Sequence, residues 1–133
     1  MLNSVQSFIN LKIEEVTTIK KSWVDVFKTN KKNVTNEVLV RLIGSSDIKN
    51  LCGEIEVATF NFEVYIIGNK NRNETRDLME QLSSTFQNVT NRNVEIETIR
   101  IKHVETTNQS FQFLESDDVV VNKFNLEIIV ENK

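Results

Sequence analysis

Apolar and polar positions divide the chain into segments of two different periods. Over residues 3–12, Val5, Phe8 and Ile9 recur about one helical turn apart, with Leu2 on the same side and Asn3 and Ser4 as capping candidates. This predicts a short amphipathic helix that lies over a sheet. The β-branched run Val16, Thr17, Thr18 and Ile19 works against its continuation, so the helix is expected to end near Glu14. Residues 22–28 read as an extended segment, and residues 29–33 as a solvated turn. Residues 37–43 (Glu-Val-Leu-Val-Arg-Leu-Ile) are apolar on both faces except at Arg41 and predict a strand. The strongest strand signal covers residues 54–67, where Phe60, Phe62, Val64 and Ile66 alternate with Asn61, Glu63 and Tyr65. Ile55 and Val57 have the opposite parity, which implies a bulge or bend near Ala58 and Thr59.

The second half repeats this mixture. Residues 71–89 predict a helix in which Leu78, Leu82, Phe86 and Val89 form a stripe flanked by Met79 and Thr85. Asn71 and Glu74 resemble a capping box, and Arg76, Asp77, Glu80 and Gln81 largely take the wet side. Residues 94–104 read as a strand with a second phase slip, between Ile96 and Ile99. Residues 105–118 make an excursion containing Phe111, Phe113 and Leu114, then the acidic turn Glu115, Asp117 and Asp118; this is either a projecting hairpin arm or a loop. After Val119, Val120 and Val121, a final strand over residues 123–131 alternates Phe124, Leu126, Ile128 and Val130 inward. The order predicts an α+β fold: an antiparallel or mixed sheet of about four main strands, with helices packed on one face.

Length and composition narrow what such a fold can do. The chain has 133 residues and a mass of 15.4 kDa, so one α+β domain over residues 1–133 is expected. Apolar residues make up 39%, which suffices for its core. No apolar run approaches the roughly 20 residues of a membrane span. No secretory leader is visible. There is no proline, no internal repeat and no flexible linker; asparagine, which tolerates left-handed backbone, supplies many of the turns instead. The three glycines are isolated, which excludes a glycine-rich phosphate loop. One cysteine and one histidine cannot supply a four-ligand Cys/His zinc site, and no cofactor or metal is expected. The single thiol fits a reducing compartment.

Cys52 and His103 allow a nucleophilic pair only arithmetically, since neither lies in an active-site motif; a small thiol and a surface imidazole explain them better. No catalytic residue is assigned, and an enzyme is not expected. Lys12, Lys20, Lys21, Lys28, Lys31 and Lys32 make the early chain basic, but only Trp23 and Phe27 interleave them, a poor match to a nucleic-acid surface. By count, the first 50 residues carry about +3 and the remainder about −6. Opposite charge on two surfaces of one subunit suits head-to-tail contacts in a ring.

The strand Phe60-Asn61-Phe62-Glu63-Val64-Tyr65-Ile66-Ile67, the helix that follows a polar turn with Leu78 and Leu82 four apart, and the closing strand Phe124-Asn125-Leu126-Glu127-Ile128-Ile129-Val130 together resemble the tail terminator family of tailed bacteriophages, which includes tail-completion and minor-capsid-like neck proteins. The resemblance implies a non-enzymatic homo-oligomeric ring, usually a hexamer. Such a ring caps the tail tube, ends its polymerisation and offers an attachment surface to the head–tail connector and, in contractile particles, to the sheath. It also implies a virion protein of the tail or neck, assembled in the bacterial cytoplasm, with DNA passing through the lumen without specific binding and with no membrane partner. The acidic latter half is compatible with a lumen that does not retard DNA. Carried over to this chain, the assembly contacts fall on Trp23 and Phe27 in the early extended segment and on Phe111, Phe113, Asp117 and Asp118 in the excursion. The alternatives are a head-side neck or stopper protein, or a small cytoplasmic ligand-binding or regulatory domain acting as a dimer.

Overall fold

A computed structural model describes residues 1–16, 20–23, 37–69, 72–87, 89, 94–114 and 119–132. Helix α1 (Leu2–Val16) is followed by strands β1 (Lys20–Trp23), β2 (Glu37–Lys49) and β3 (Ile55–Asn69). Helix α2 (Arg72–Gln87) then leads to β4 (Val94–Ile96), β5 (Ile99–Leu114) and β6 (Val119–Asn132). The six strands form one sheet in the order β1-β2-β3-β6-β5-β4. Four are long, and all neighbours are antiparallel except β1 and β2, which run parallel. The fold is α+β.

Alternation sets the inner face. Ala58, Phe60, Phe62, Val64 and Ile66 of β3 and Phe124, Leu126, Ile128 and Val130 of β6 are buried in a single core with both helices. From α1 come Val5, Phe8, Ile9 and Ile13; from α2 come Met79, Leu82 and Phe86, with Val89 just beyond. Phe8 meets Phe86 edge to face with ring centroids 6.3 Å apart, and Phe86 lies 6.3 Å from Phe124, so three aromatic rings link helix to helix to sheet. Within α2 the expected stripe is rotated slightly: Met79 is buried and Leu78 is only partly so, while Thr75 and Ser83 complete the inner side. The Ser83 hydroxyl pairs with that of Thr106 at 3.0 Å, which satisfies both in the interior. At its other end the core is tied down by Ser4 of α1, whose hydroxyl donates to Glu97 at 2.7 Å.

The phase changes in the sequence have different causes. In β3 the register with β2 passes from Val57 to Ile55, so the extra residue is Glu56, two positions before the expected site. A second irregularity places the extra residue of β2 at Ile43. The slip between Ile96 and Ile99 is a chain reversal: Glu97 and Thr98 form a two-residue turn, with Glu97 at φ 51°, and β4 pairs back onto β5. What reads as one strand is therefore a hairpin. Strand β2 also outlasts its apolar run, reaching Lys49 through Gly44-Ser45-Ser46-Asp47. The excursion after Glu105 takes the hairpin form, with β5 paired to β6 as far as Leu114 opposite Val119. The capping-box residue Asn71, the solvated turn at 29–33 and the acidic turn at 115–118 lie outside the described residues.

Candidate assembly surface

A sheet ends in strand edges, and here they are long. Strand β1 covers β2 only along residues 37–40. From Arg41 to Lys49 the outer edge of β2 has no strand partner among the described residues. On the opposite side β4 covers β5 only from Ile99 to Ile101, so the outer edge of β5 from Lys102 to Leu114 is likewise open among the described residues. The covered stretches lie at opposite ends of the sheet, whereas the open stretches overlap across its middle, where Arg41 to Ser46 of β2 stand in line with Thr107 to His103 of β5. Unpaired N–H and C=O groups along such edges are templates for another chain.

The β2 edge is also apolar. Leu42, Ile43 and Ile48 are exposed, the last two at 48% and 63%. The turn after β2 carries Leu51, which is wholly exposed. That turn is built firmly. The Asn50 carboxamide oxygen accepts hydrogen bonds from the backbone N–H of Cys52 at 2.9 Å and of Glu54 at 3.0 Å. The Asn50 N–H donates to the Glu54 carbonyl at 2.8 Å, and Gly53, at φ +82°, donates to the Asn50 carbonyl at 3.0 Å. The side chain of Asn50 thus replaces backbone partners, and glycine supplies the left-handed conformation. The result is an ordered tip that holds an isoleucine, a leucine and the exposed thiol of Cys52 in water.

The charges of the two edges differ. On β1 and β2, Lys20, Lys21, Arg41 and Lys49 outnumber Glu37 and Asp47. Across β4, its turn and β5, Glu95, Glu97 and Glu105 outnumber Arg100 and Lys102. Between the edges, on the face away from the helices, the ion pairs run across strands. Glu63 is approached by Arg41 at 3.4 Å and by Lys123, and Glu131 by Arg100 at 2.9 Å and Lys102 at 3.7 Å.

Of the residues singled out from the sequence, Trp23 ends β1 in register with Val40, while Phe111 and Phe113 stand on β5 opposite Asn122 and Val120. Phe27, Asp117 and Asp118 lie outside the described residues. The row Lys21–Val38–Ile66–Asn122–Phe111 runs across five strands. Its four strand spacings amount to about 19 Å. Trp23 and Phe111 therefore sit toward the same end of the sheet on different edges. Among the described residues, Trp23 stands on one side of the sheet and Phe111 and Phe113 on the other. Sequence reasoning missed the Ile43–Ile48–Leu51 strip; its one visible sign was a run of strand residues interrupted by polar ones.

Cys52 and His103 are not brought together. His103 is in register with Ile129 and through it with Thr59, two strands across and a few residues beyond the start of β3. From strand spacing and rise, that is roughly 16 Å from the turn that holds Cys52. A cleft of about 520 Å³ beside the helices is lined by Glu15, Asp77, Glu80, Gln81, Ser84 and Thr85 among others, an acidic and open surface. No described helix is long and apolar enough to cross a membrane.

No protein-family model matches the sequence, and no curated protein matches it. Among solved structures, the chain is similar to a chain of the virion of a native gene transfer agent particle, with a TM-score of 0.65 at 12% identity over 98% of this chain and 96% of that one. A second solved chain aligns over 96% of this one at 10% identity, with a TM-score of 0.49. At such low identity the first likeness establishes a common fold over nearly the whole length of both chains.

Proposed function

We propose that this chain is a non-enzymatic, one-domain structural subunit of a tailed phage or phage-like particle. It forms a closed ring, a hexamer, that caps the tail tube, ends its polymerisation and presents the attachment surface for the head–tail connector; in a contractile particle it also meets the sheath. It works in the tail or neck of the virion after assembly in the bacterial cytoplasm, and DNA crosses the ring without specific binding. The observation that carries this reading is the open β2 edge with its exposed Ile43, Ile48 and Leu51, held on an ordered turn. An ordered apolar edge of this kind is a liability in a free monomer and an asset in an assembly. The shared fold with a gene transfer agent virion chain supports a particle component. The two open edges, on opposite sides of the sheet and of unlike charge, support head-to-tail contacts of the kind that close into rings.

Native mass spectrometry of the purified chain, alone and with tube protein, tests this. A discrete hexamer, or addition to the ends of tubes that then stop growing, is the expected result. A stable dimer indifferent to tube protein overturns it and favours a small regulatory domain. Addition only to the head-side connector favours a stopper.

A further inference from the structure

Glu63, Glu105, Glu127 and Glu131 stand on the outer sheet face, and among the described residues only two of these four are neutralised by lysine or arginine. Glu63 lies between Arg41 and Lys123, and Glu131 between Arg100 and Lys102. Glu105 of β5 and Glu127 of β6 instead stand directly opposite each other in the antiparallel register, an arrangement that like charges disfavour. The His103 imidazole stands beside them, its Nε2 3.7 Å from Glu105 Oε2.

His103 reaches this face because of a backbone irregularity. The β5–β6 register passes from Ile101 directly to His103, leaving Lys102 as an extra residue. Without that bulge His103 would share the inner parity of Ile101; with it, His103 and Glu105 project from the same side while Val104 and Thr106 stay in the core. One ligand atom each from His103, Glu105 and Glu127 then lies within 4.8 Å of the other two. A cavity of about 240 Å³ opens beside the two carboxylates, flanked by Asn61, Thr107 and Asn125. The Asn125 Oδ1 atom is buried there and accepts no hydrogen bond from the described residues.

From this geometry we infer that His103, Glu105 and Glu127 form a binding site for a first-row divalent cation of the zinc class. One imidazole nitrogen and two carboxylate oxygens match its preferred donors, and water completes the shell. Bonds of about 2.0–2.2 Å require the three groups to draw in by an ångström or less, which partly exposed side chains allow. The ion neutralises the opposed carboxylates and fastens β5 to β6 beside the bulge. The role is structural: three ligands on a flat sheet face position no nucleophile. The site is independent of the assembly reading, and either can fail alone.

His103 is the only histidine in the chain, so its ring resonances report the site without ambiguity. The experiment is calorimetric titration of the Cys52→Ser chain with Zn2+, with NMR of the imidazole in parallel; removing the exposed thiol takes away the competing soft ligand. One ion per chain is expected, with the His103 ring signals shifting in step with binding. His103→Ala and Glu127→Gln should each weaken binding at least tenfold, whereas Glu131→Gln should leave it unchanged. Absence of binding, binding that leaves the ring signals in place, or undiminished affinity in the His103→Ala and Glu127→Gln chains overturns the proposal. Circular dichroism of each variant before titration ensures that lost affinity is not lost fold.

Discussion

The Lys123 ammonium of β6 lies against the Glu63 carboxylate of β3, on the diagonal between the register pairs Tyr65–Lys123 and Glu63–Asn125. The Glu63 side chain is only 12% exposed. Burial alone would raise its pKa, but the Lys123 hydrogen bond and charge, the Tyr65 hydroxyl and the Arg41 charge together hold it below the usual carboxylate value. The hydrogen bond to Glu63 raises Lys123 in turn. Because Glu63 is depressed in the folded state, its contribution is present above the unfolded carboxylate pKa and is lost as pH falls through the folded value. Lys123, being raised, contributes below the ordinary lysine pKa and loses that contribution as pH rises through its folded value. Replacing Lys123 with Met should therefore cost about 1–2 kcal/mol at neutral pH. The gap to wild type should close in acid, where Glu63 is protonated in both chains. Urea unfolding at neutral pH and in acid measures both quantities; a gap that stays constant in acid would exclude the pair as its source.

The three-ring contact Phe8–Phe86–Phe124 is where α1, α2 and the sheet meet. Phe86 is wholly buried. Phe86→Ala removes both transfer energy and packing and should cost about 3–5 kcal/mol. Thr106→Val keeps the volume but deprives the Ser83 hydroxyl and the Gln87 carboxamide of a shared oxygen. That loss should cost about 1–3 kcal/mol. Chemical denaturation separates the two, and the phenylalanine variant should be clearly the worse.

Legibility in the sequence follows burial. The stretches from Phe60 to Ile66 and from Phe124 to Val130 each have one face in the core, so the fold imposes period-two alternation on them and the alternation reads back. The α2 stripe is readable for the same reason, to within the small rotation that buries Met79 in place of Leu78. What cannot be read is set by backbone geometry with no residue code. The Glu97–Thr98 reversal uses neither glycine, asparagine nor proline, so it reads as a slip within one strand. The extension of β2 through Gly44, Ser45 and Ser46 is an edge with little to bury, and its alternation is broken at Ile43. Counting only cysteine and histidine as metal ligands likewise hides Glu105 and Glu127, which become neighbours only through the β5–β6 register, and His103 joins them only through the bulge at Lys102.

Two glycines of the β2–β3 region separate conformational need from space. A β-carbon at either Gly44 or Gly53 would meet nothing within 4 Å, but only Gly53 has a positive φ, at +82°. Gly53→Ala should therefore destabilise by about 1 kcal/mol through backbone strain alone. Gly44→Ala should be neutral or stabilising by up to about 1 kcal/mol, because it restricts the unfolded chain without strain in the folded one. Thermal melts of the two variants check this, and equal effects would refute the assignment.

Cys52 is a built-in reporter for the β2 edge. It is exposed in the turn beside Leu51, on a backbone fixed by Asn50, and it is the only thiol in the chain. In the isolated subunit a thiol reagent should react with it at the rate of an open cysteine. If Ile43, Ile48 and Leu51 are the contact, assembly removes them from water and takes the neighbouring thiol with them, so its reaction should slow at least tenfold once rings or capped tubes form. Leu51→Asp places a charge at the centre of the same contact, where desolvating it is costly. In the free chain that side chain touches only water, so the melting temperature should stay within about a degree of wild type while assembly is lost and the thiol remains fast. Should Cys52 react equally fast before and after assembly, with Leu51→Asp assembling normally, the working contact lies on another border of the sheet and the β2 edge has no part in it.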